Sequence, residues 1–210
     1  MRFVEAIRAA RNAFSASLHG RHEDTTRRIK GEVFITLRDA KTGEVQEKRY
    51  NVVTLDASIL IARLVKDSQE PPQGAFVLAV GSGDVGWDLQ APPAATDSQR
   101  ALHSEITRKT FSNTQFIDTG GSPTAIPTNV VDFTTTYTES EAVGALVEMG
   151  LLGGNIDSNL SVKNPVSPPS GAYDPLVDMT AFETLVNYLT FPVINKPATS
   201  TLEIVWRLTF

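Results

Sequence analysis

The chain has 210 residues, 41% of them hydrophobic and 20% charged, with a formal net charge of −5. That is enough apolar material for a folded core, and the acidic balance argues against bulk attraction to nucleic acid. There is no cysteine, which excludes disulfides, zinc–thiolate centres and thiol nucleophiles, and no apolar run reaches the roughly 18 residues of a membrane-spanning helix.

The charge is unevenly spread. Residues 1–30 carry seven Arg or Lys against three acids, a net +4, which leaves −9 on the remainder. Within this basic segment Phe3, Ile7, Ala10, Phe14 and Leu18 recur at three- and four-residue steps, the spacing of one helix face. Arg8, Arg11 and Asn12 fall off that face, and Gly20 is a stop signal. An amphipathic helix is expected over 2–19, as an anchor arm whose docking residues are Phe3, Ile7, Arg8, Arg11, Phe14 and Leu18. Glu5 and Arg8 stand where a signal peptide needs an apolar run, so synthesis in the cytoplasm is expected. The expected division is an arm at 1–30 and a β-domain at 31–210.

From Gly31 the period changes to two. Val33, Ile35 and Leu37 alternate up to Asp39, a turn containing Gly43 follows, and the strand expected from Glu44 to Val53 closes a hairpin. Thr54 or Asp56 then caps a short helix carrying Leu60, Ile61, Leu64 and Val65, which Pro71 and Pro72 end. The apolar run Ala75 to Val80 reads as a central strand, and Gly81 to Pro93 as a loop. A second short helix is expected over Gln99 to Ser104, opened by Thr96 or Asp97. Extended segments follow around Ile106 to Ile117, Thr128 to Thr138 and Ala145 to Leu152. Gly153 to Pro175 reads as a surface loop, and strands at Phe182 to Ile194 and Leu202 to Phe210 complete the set. In the last of these Leu202, Ile204, Trp206 and Leu208 point one way, and Glu203, Val205, Arg207 and Thr209 the other. The fold expected is mainly β: an antiparallel β-sandwich with two short internal helices and the amphipathic N-terminal helix.

Few residues suggest chemistry. Gly81-Ser82-Gly83-Asp84-Val85-Gly86 matches the spacing of a dinucleotide-binding loop, but Pro92 and Pro93 oppose the helix such a site needs. Asp84 and Asp88 are too few carboxylates for a cation site alone. His19, His22 and His103 lack partners at ligand spacing, and Ser82 lacks a nucleophile elbow. Glu139 and Glu141 read as a solvated turn, and Glu105 with Arg108 as a buried or inter-subunit ion pair that sets register. No cofactor, metal or catalytic residue is expected.

Three segments together resemble a family of tailed-bacteriophage virion proteins. They are Leu78 to Gly83; Pro92 to Asp97, running on to Leu102 and Glu105 to Lys109; and Val193 to Lys196, with Leu202 to Phe210. Glu148-Met149-Gly150-Leu151 and Asn51 to Leu64 resemble further parts of the pattern, which spans roughly 31–210 and leaves the basic arm outside. The resemblance implies a compact β-sandwich in the neck, collar, baseplate or tail-fibre base of a virion, with no enzyme activity. On that reading the chain is a homo-oligomer assembled in the host cytoplasm. It docks through its arm on the portal, connector or tail wall, with no direct nucleic-acid or membrane contact. The rival readings are a receptor- or carbohydrate-binding tail-tip module, for which an exposed Trp87 or Tyr173 would speak, and a capsid decoration protein.

Overall fold

A computed structural model of the protein describes residues 29–39, 43–66, 73–154, 162–163 and 183–210. Residues 1–28 of the arm expected over 1–30, with its docking residues Phe3, Ile7, Arg8, Arg11, Phe14 and Leu18, lie outside the described residues, as do Tyr173 and most of the loop expected over 153–175, while Lys30 already belongs to the first strand.

Twelve strands and one helix are described: β1 (Lys30–Asp39), β2 (Gly43–Tyr50), β3 (Val52–Val53), α1 (Leu55–Lys66), β4 (Gln73–Gly81), β5 (Glu105–Thr110), β6 (Asn113–Ile117), β7 (Pro123–Thr124), β8 (Val130–Tyr137), β9 (Gly144–Gly154), β10 (Val162–Lys163), β11 (Glu183–Lys196) and β12 (Ser200–Thr209). They form two six-stranded sheets, one in the order β2-β1-β12-β8-β6-β7 and the other β10-β5-β4-β9-β11-β3. All pairings are antiparallel, as a fold with one face per sheet turned to a core allows.

The period-two pattern of the sequence sets the packing. Val33 and Ile35 of β1, Phe133 and Tyr137 of β8, and Leu202, Ile204, Trp206 and Leu208 of β12 are buried in one cluster. Leu78, Val80, Leu146, Met149, Leu151, Leu189 and Phe191 of the second sheet fill the same cluster. A polar bond crosses it: the Tyr137 hydroxyl donates to the Leu78 carbonyl at 2.7 Å. Burial pushes that phenol well above its ordinary pKa, and the nearby Glu105 and Glu141 push the same way, so it stays a donor. A smaller cluster of Val77, Ala79, Leu102, Leu152, Leu185 and Tyr188 lies on the second sheet.

Two expected elements change. The strand expected to run unbroken to Val53 stops at Tyr50. Asn51 donates its N–H to Gly31, and Val52 and Val53 then pair with Tyr188 and Asn187 in the other sheet. The chain therefore passes from one sheet to the other at Asn51. Thr54 fastens the start of α1, because its hydroxyl donates to the Leu185 carbonyl and its N–H to Val186. Ala57 and Leu60 bury the inner side of α1, while Ile61 and Leu64 are exposed.

The second internal helix, expected over Gln99 to Ser104, is absent. A helix there would need the N–H groups of His103 and Ser104 to bond back within the segment. Both instead donate to the Glu148 carboxylate, at 3.0 and 2.8 Å. The segment is an irregular strap that places Leu102 in the smaller core cluster. Part of the expected 153–175 loop is strand, since Val162 and Lys163 pair with Lys109 and Arg108. Among the described residues no helix is long and apolar enough to cross a membrane.

Candidate functional site: a clasped loop and a charged strand edge

Strand β9 reads Gly-Ala-Leu-Val-Glu-Met-Gly-Leu-Leu-Gly-Gly, and Glu148 is its one charged residue. Strand alternation puts Glu148 on the face that carries Gly150 and Leu152, beneath the connection 82–104. It is wholly buried. Its Oε1 accepts the N–H groups of Gly83 at 3.2 Å and Ser104 at 2.8 Å. Its Oε2 accepts the His103 N–H at 3.0 Å and the Tyr188 hydroxyl at 2.6 Å. A carboxylate has about four lone-pair positions, and here all four are filled. Burial, together with the adjacent carboxylate, raises the Tyr188 phenol far above its ordinary range. Every acceptor position of the acid is thus taken, and the phenol keeps its hydrogen.

What it does is hold a loop. Connections without regular structure seldom exceed roughly 12–15 residues, and residues 82–104 exceed that. The loop is fastened along its length. Ser82 donates to the Ser104 carbonyl, Val193 to Leu89, Thr190 to Pro93 and Leu55 to Asp97. Trp87 meets His103 edge-on, with ring centroids 4.7 Å apart, which locks the two ends of the loop together. Arg100 pairs with Asp56 at the start of α1.

The sequence-flagged residues of this loop are turn formers. Gly83 has φ +70°, and a Cβ there would run into the Trp87 ring. Asp84 accepts the Gly86 N–H and Asp88 the Gln90 N–H, each two residues on, so both side chains build Asx turns. Among the described residues no three His, Asp or Glu side chains gather as a metal site would require.

A second polar knot lies where β8 turns into β9. The Lys196 ammonium is buried and donates to the carbonyls of Thr138 and Glu139, at 2.8 and 3.2 Å. Burial lowers its pKa, partly offset by Glu141 and Glu139. Lys109 donates to the Thr136 carbonyl at 2.9 Å and to Glu141 at 2.7 Å. Burial alone would raise the Glu141 carboxyl; the bonds from Lys109 and the Thr138 N–H outweigh it, and its pKa falls below the ordinary value. So Glu139 is exposed, as a solvated turn predicts, but Glu141 is tied down. Beside this knot is an open groove of about 460 Å³ lined by Leu37, Asp39, Val143, Asn195, Lys196 and Ser200. Its Asp39 carboxylate already accepts the Thr199 and Ser200 hydroxyls.

Glu105 and Arg108 form a buried ion pair within one chain. The guanidinium meets the carboxylate in two bonds of 2.6 and 2.7 Å, with 6% and 7% of the side chains exposed. Residues three apart on a regular strand face opposite ways. Here the register slips between Val80 and Gly81, which skip Ile106, and the slip brings both side chains to one face.

The outer face of the first sheet is a ladder of charges. Arg207 grips Asp132 through two bonds of 2.7 and 2.8 Å, which raises its pKa. Lys48 pairs with Glu32 at 2.7 Å and lies 5.4 Å from the Phe34 ring centre. Arg38 pairs with Glu44 at 2.8 Å. Tyr50 closes this row with its ring 71% exposed. No family model matches the chain, and no curated protein matches it.

Proposed function

We propose that the protein is a non-enzymatic structural component of a tailed-phage virion, placed in the neck, collar or tail. On this reading residues 31–210 form a β-sandwich that assembles as a homo-oligomer, and the basic segment 1–30 docks it on the portal, connector or tail wall.

One observation carries the reading. Stretches that resemble virion proteins meet at a single buried carboxylate. Glu148, in one such stretch, takes the N–H group of Gly83 from a second, and those of His103 and Ser104 from the two-residue gap between Leu102 and Glu105 in a third. Residues that recur in the resemblance are thus engaged in holding a long loop rigid, the work of a scaffold rather than of a catalyst. The buried charges at Glu105, Arg108 and Lys196 are likewise committed to protein bonds.

The test is incorporation into particles. A chain lacking residues 1–30 is expected to fold and to be missing from assembled virions. Normal incorporation of the truncated chain would sink the docking role.

A second reading has one observation in its favour. Tyr50 is 71% exposed on the charged outer face of the first sheet, with the Lys48 ammonium 5.3 Å from its ring centre, and such an aromatic suits a receptor- or carbohydrate-binding module. Trp87, the loop candidate for that role, is instead packed against His103. Loss of host-cell binding in Tyr50→Ala, with incorporation intact, would favour this second reading.

A further inference from the structure

Among the described residues, β2 is the outermost strand of its sheet, bonded to β1 on one side and to no strand on the other. It is also the longest such edge, since β3, β7 and β10 have two residues each. An open edge of this length presents a row of N–H and C=O groups to any extended chain. Its side chains decide which chain is admitted.

The edge is polar in the sense of a bar magnet. Glu44 stands near one end and Lys48 near the other, both on the outer face with Gln46 between them. Their side chains are 42% and 44% exposed, although Glu44 already accepts from Arg38 and from the Gln46 amide and Lys48 already donates to Glu32. An acidic-to-basic gradient is complementary to itself when a second copy runs antiparallel.

Side chains directly opposite in an antiparallel pair share a face, so a two-fold axis must pass through a residue pair. Four such centres lie nearest the middle of the strand. Centring on Glu47 sets Glu47 against Glu47, and centring on Lys48 sets lysine against lysine, although it also sets each Glu47 against the other copy's Arg49. Centring on Val45 makes no opposite-charge pair. Centring on Gln46 sets Glu44 of each copy against Lys48 of the other, with Gln46 facing Gln46. On the inner face it covers Val45, which is 53% exposed, with Glu47 of the second copy. Each Glu47 keeps its own Arg49 at 2.6 Å, which neutralises the diagonal approach of the two carboxylates.

We propose that two copies of this chain join by antiparallel pairing of β2 with β2 about a two-fold axis at Gln46, making one continuous sheet across the dimer. The proposal deepens the homo-oligomer part of the proposed function and rests on it. Opposite charges directly across a strand pair stabilise it, and like charges there destabilise it. Of these centres, Gln46 is the one that sets opposite charges face to face with no like charges directly opposite.

The cysteine-free chain makes the test direct. Residues directly opposite at the axis have Cα atoms about 4.5–5.5 Å apart, inside the span of a disulfide. Mild oxidation of full-length Gln46→Cys is expected to give a covalent dimer in high yield. Val45→Cys, whose opposite number is Glu47, is expected to give none alone and a dimer when mixed with Glu47→Cys. By light scattering, wild type is expected at twice the mass of one chain. Glu44→Lys and Lys48→Glu are each expected at one chain mass. Their equimolar mixture returns to two, because the two lysines of the first variant then face the two glutamates of the second.

An oligomeric wild type whose Gln46→Cys form does not cross-link, and whose mass ignores both charge reversals, would overturn the β2 interface while leaving the homo-oligomer reading in place. A wild type that stays monomeric at high concentration and does not cross-link as Gln46→Cys would overturn both.

Discussion

The Tyr188 hydroxyl donates to the buried Glu148 carboxylate at 2.6 Å, from a residue 40 positions away on the neighbouring strand. Three backbone N–H groups complete the shell around the same carboxylate. Removing the donor and removing the acceptor should therefore differ in size. Tyr188→Phe leaves a buried charge with three donors and is expected to cost about 1–3 kcal/mol. Glu148→Ala strands three amides and a phenol, and is expected to cost about 3–5 kcal/mol, as for other broken buried charge networks. Urea denaturation reads both. Equal losses would mean that the phenol, not the amide shell, holds the loop.

Gly83→Ala tests the loop by another route. The position needs φ +70° and has the Trp87 ring where a Cβ would go. Strain of this kind costs on the order of 1–3 kcal/mol. The expected signature is local: a change in Trp87 fluorescence, with faster amide exchange at Ser82 and Ser104 than in the β1–β12 ladder. Uniform acceleration across both sheets would contradict a loop-confined effect.

The Lys109–Glu141 bond predicts an acid limb in stability. Glu141 has a folded pKa below its ordinary 4.5. Its contribution is therefore complete above that value and is lost as pH falls through the folded pKa. With both side chains about one-fifth exposed, a contribution of roughly 1 kcal/mol at pH 7 is expected. The gap in unfolding free energy between wild type and Glu141→Gln should be full at pH 7 and shrink below pH 4.5. A gap that does not change with pH would show that Glu141 contributes by packing alone.

Tyr137→Phe removes a hydroxyl bond across the main core and leaves the Leu78 carbonyl without it. The ring remains, so the loss should be confined to about 1–2 kcal/mol. A much larger loss, read from the denaturation midpoint, would mean the ring itself is displaced.

Much of the sheet architecture could be read from side-chain alternation. Val33 and Ile35, and Leu202 to Leu208 at every second position, are buried where the period of two puts them. The first internal helix was legible from its cap residues and helical apolar spacing, although Leu60 of that stripe is buried while Ile61 and Leu64 are exposed. Two things were not. The crossing at Asn51 depends on which sheet Val52 and Val53 find, a long-range choice that no local pattern encodes. The strap over Gln99 to Ser104 has caps and propensity suited to a helix, but its N–H groups are taken by a carboxylate more than 40 residues away. The signal that pointed there was Glu148 itself, a lone charge in an otherwise apolar strand. A buried charge demands donors. Because those donors are backbone amides, no side-chain type marks them. Glu105 and Arg108 stand out as opposite charges three apart, but the register slip that lets them meet has no sequence signature.

Strand β12 lies between β1 and β8, and its ladder joins residues 30–39 to residues 200–209. A nascent chain that has not yet released β12 from the ribosome holds the first sheet in two pieces, a β1–β2 hairpin and a β8-based fragment. Each piece exposes a long bonding edge and one apolar face. Final closure must therefore wait until β12 has been released, and it pairs residues at least 161 positions apart, which makes it slow. Until then the half-built sheet is the species most open to capture by chaperones or by its own kind.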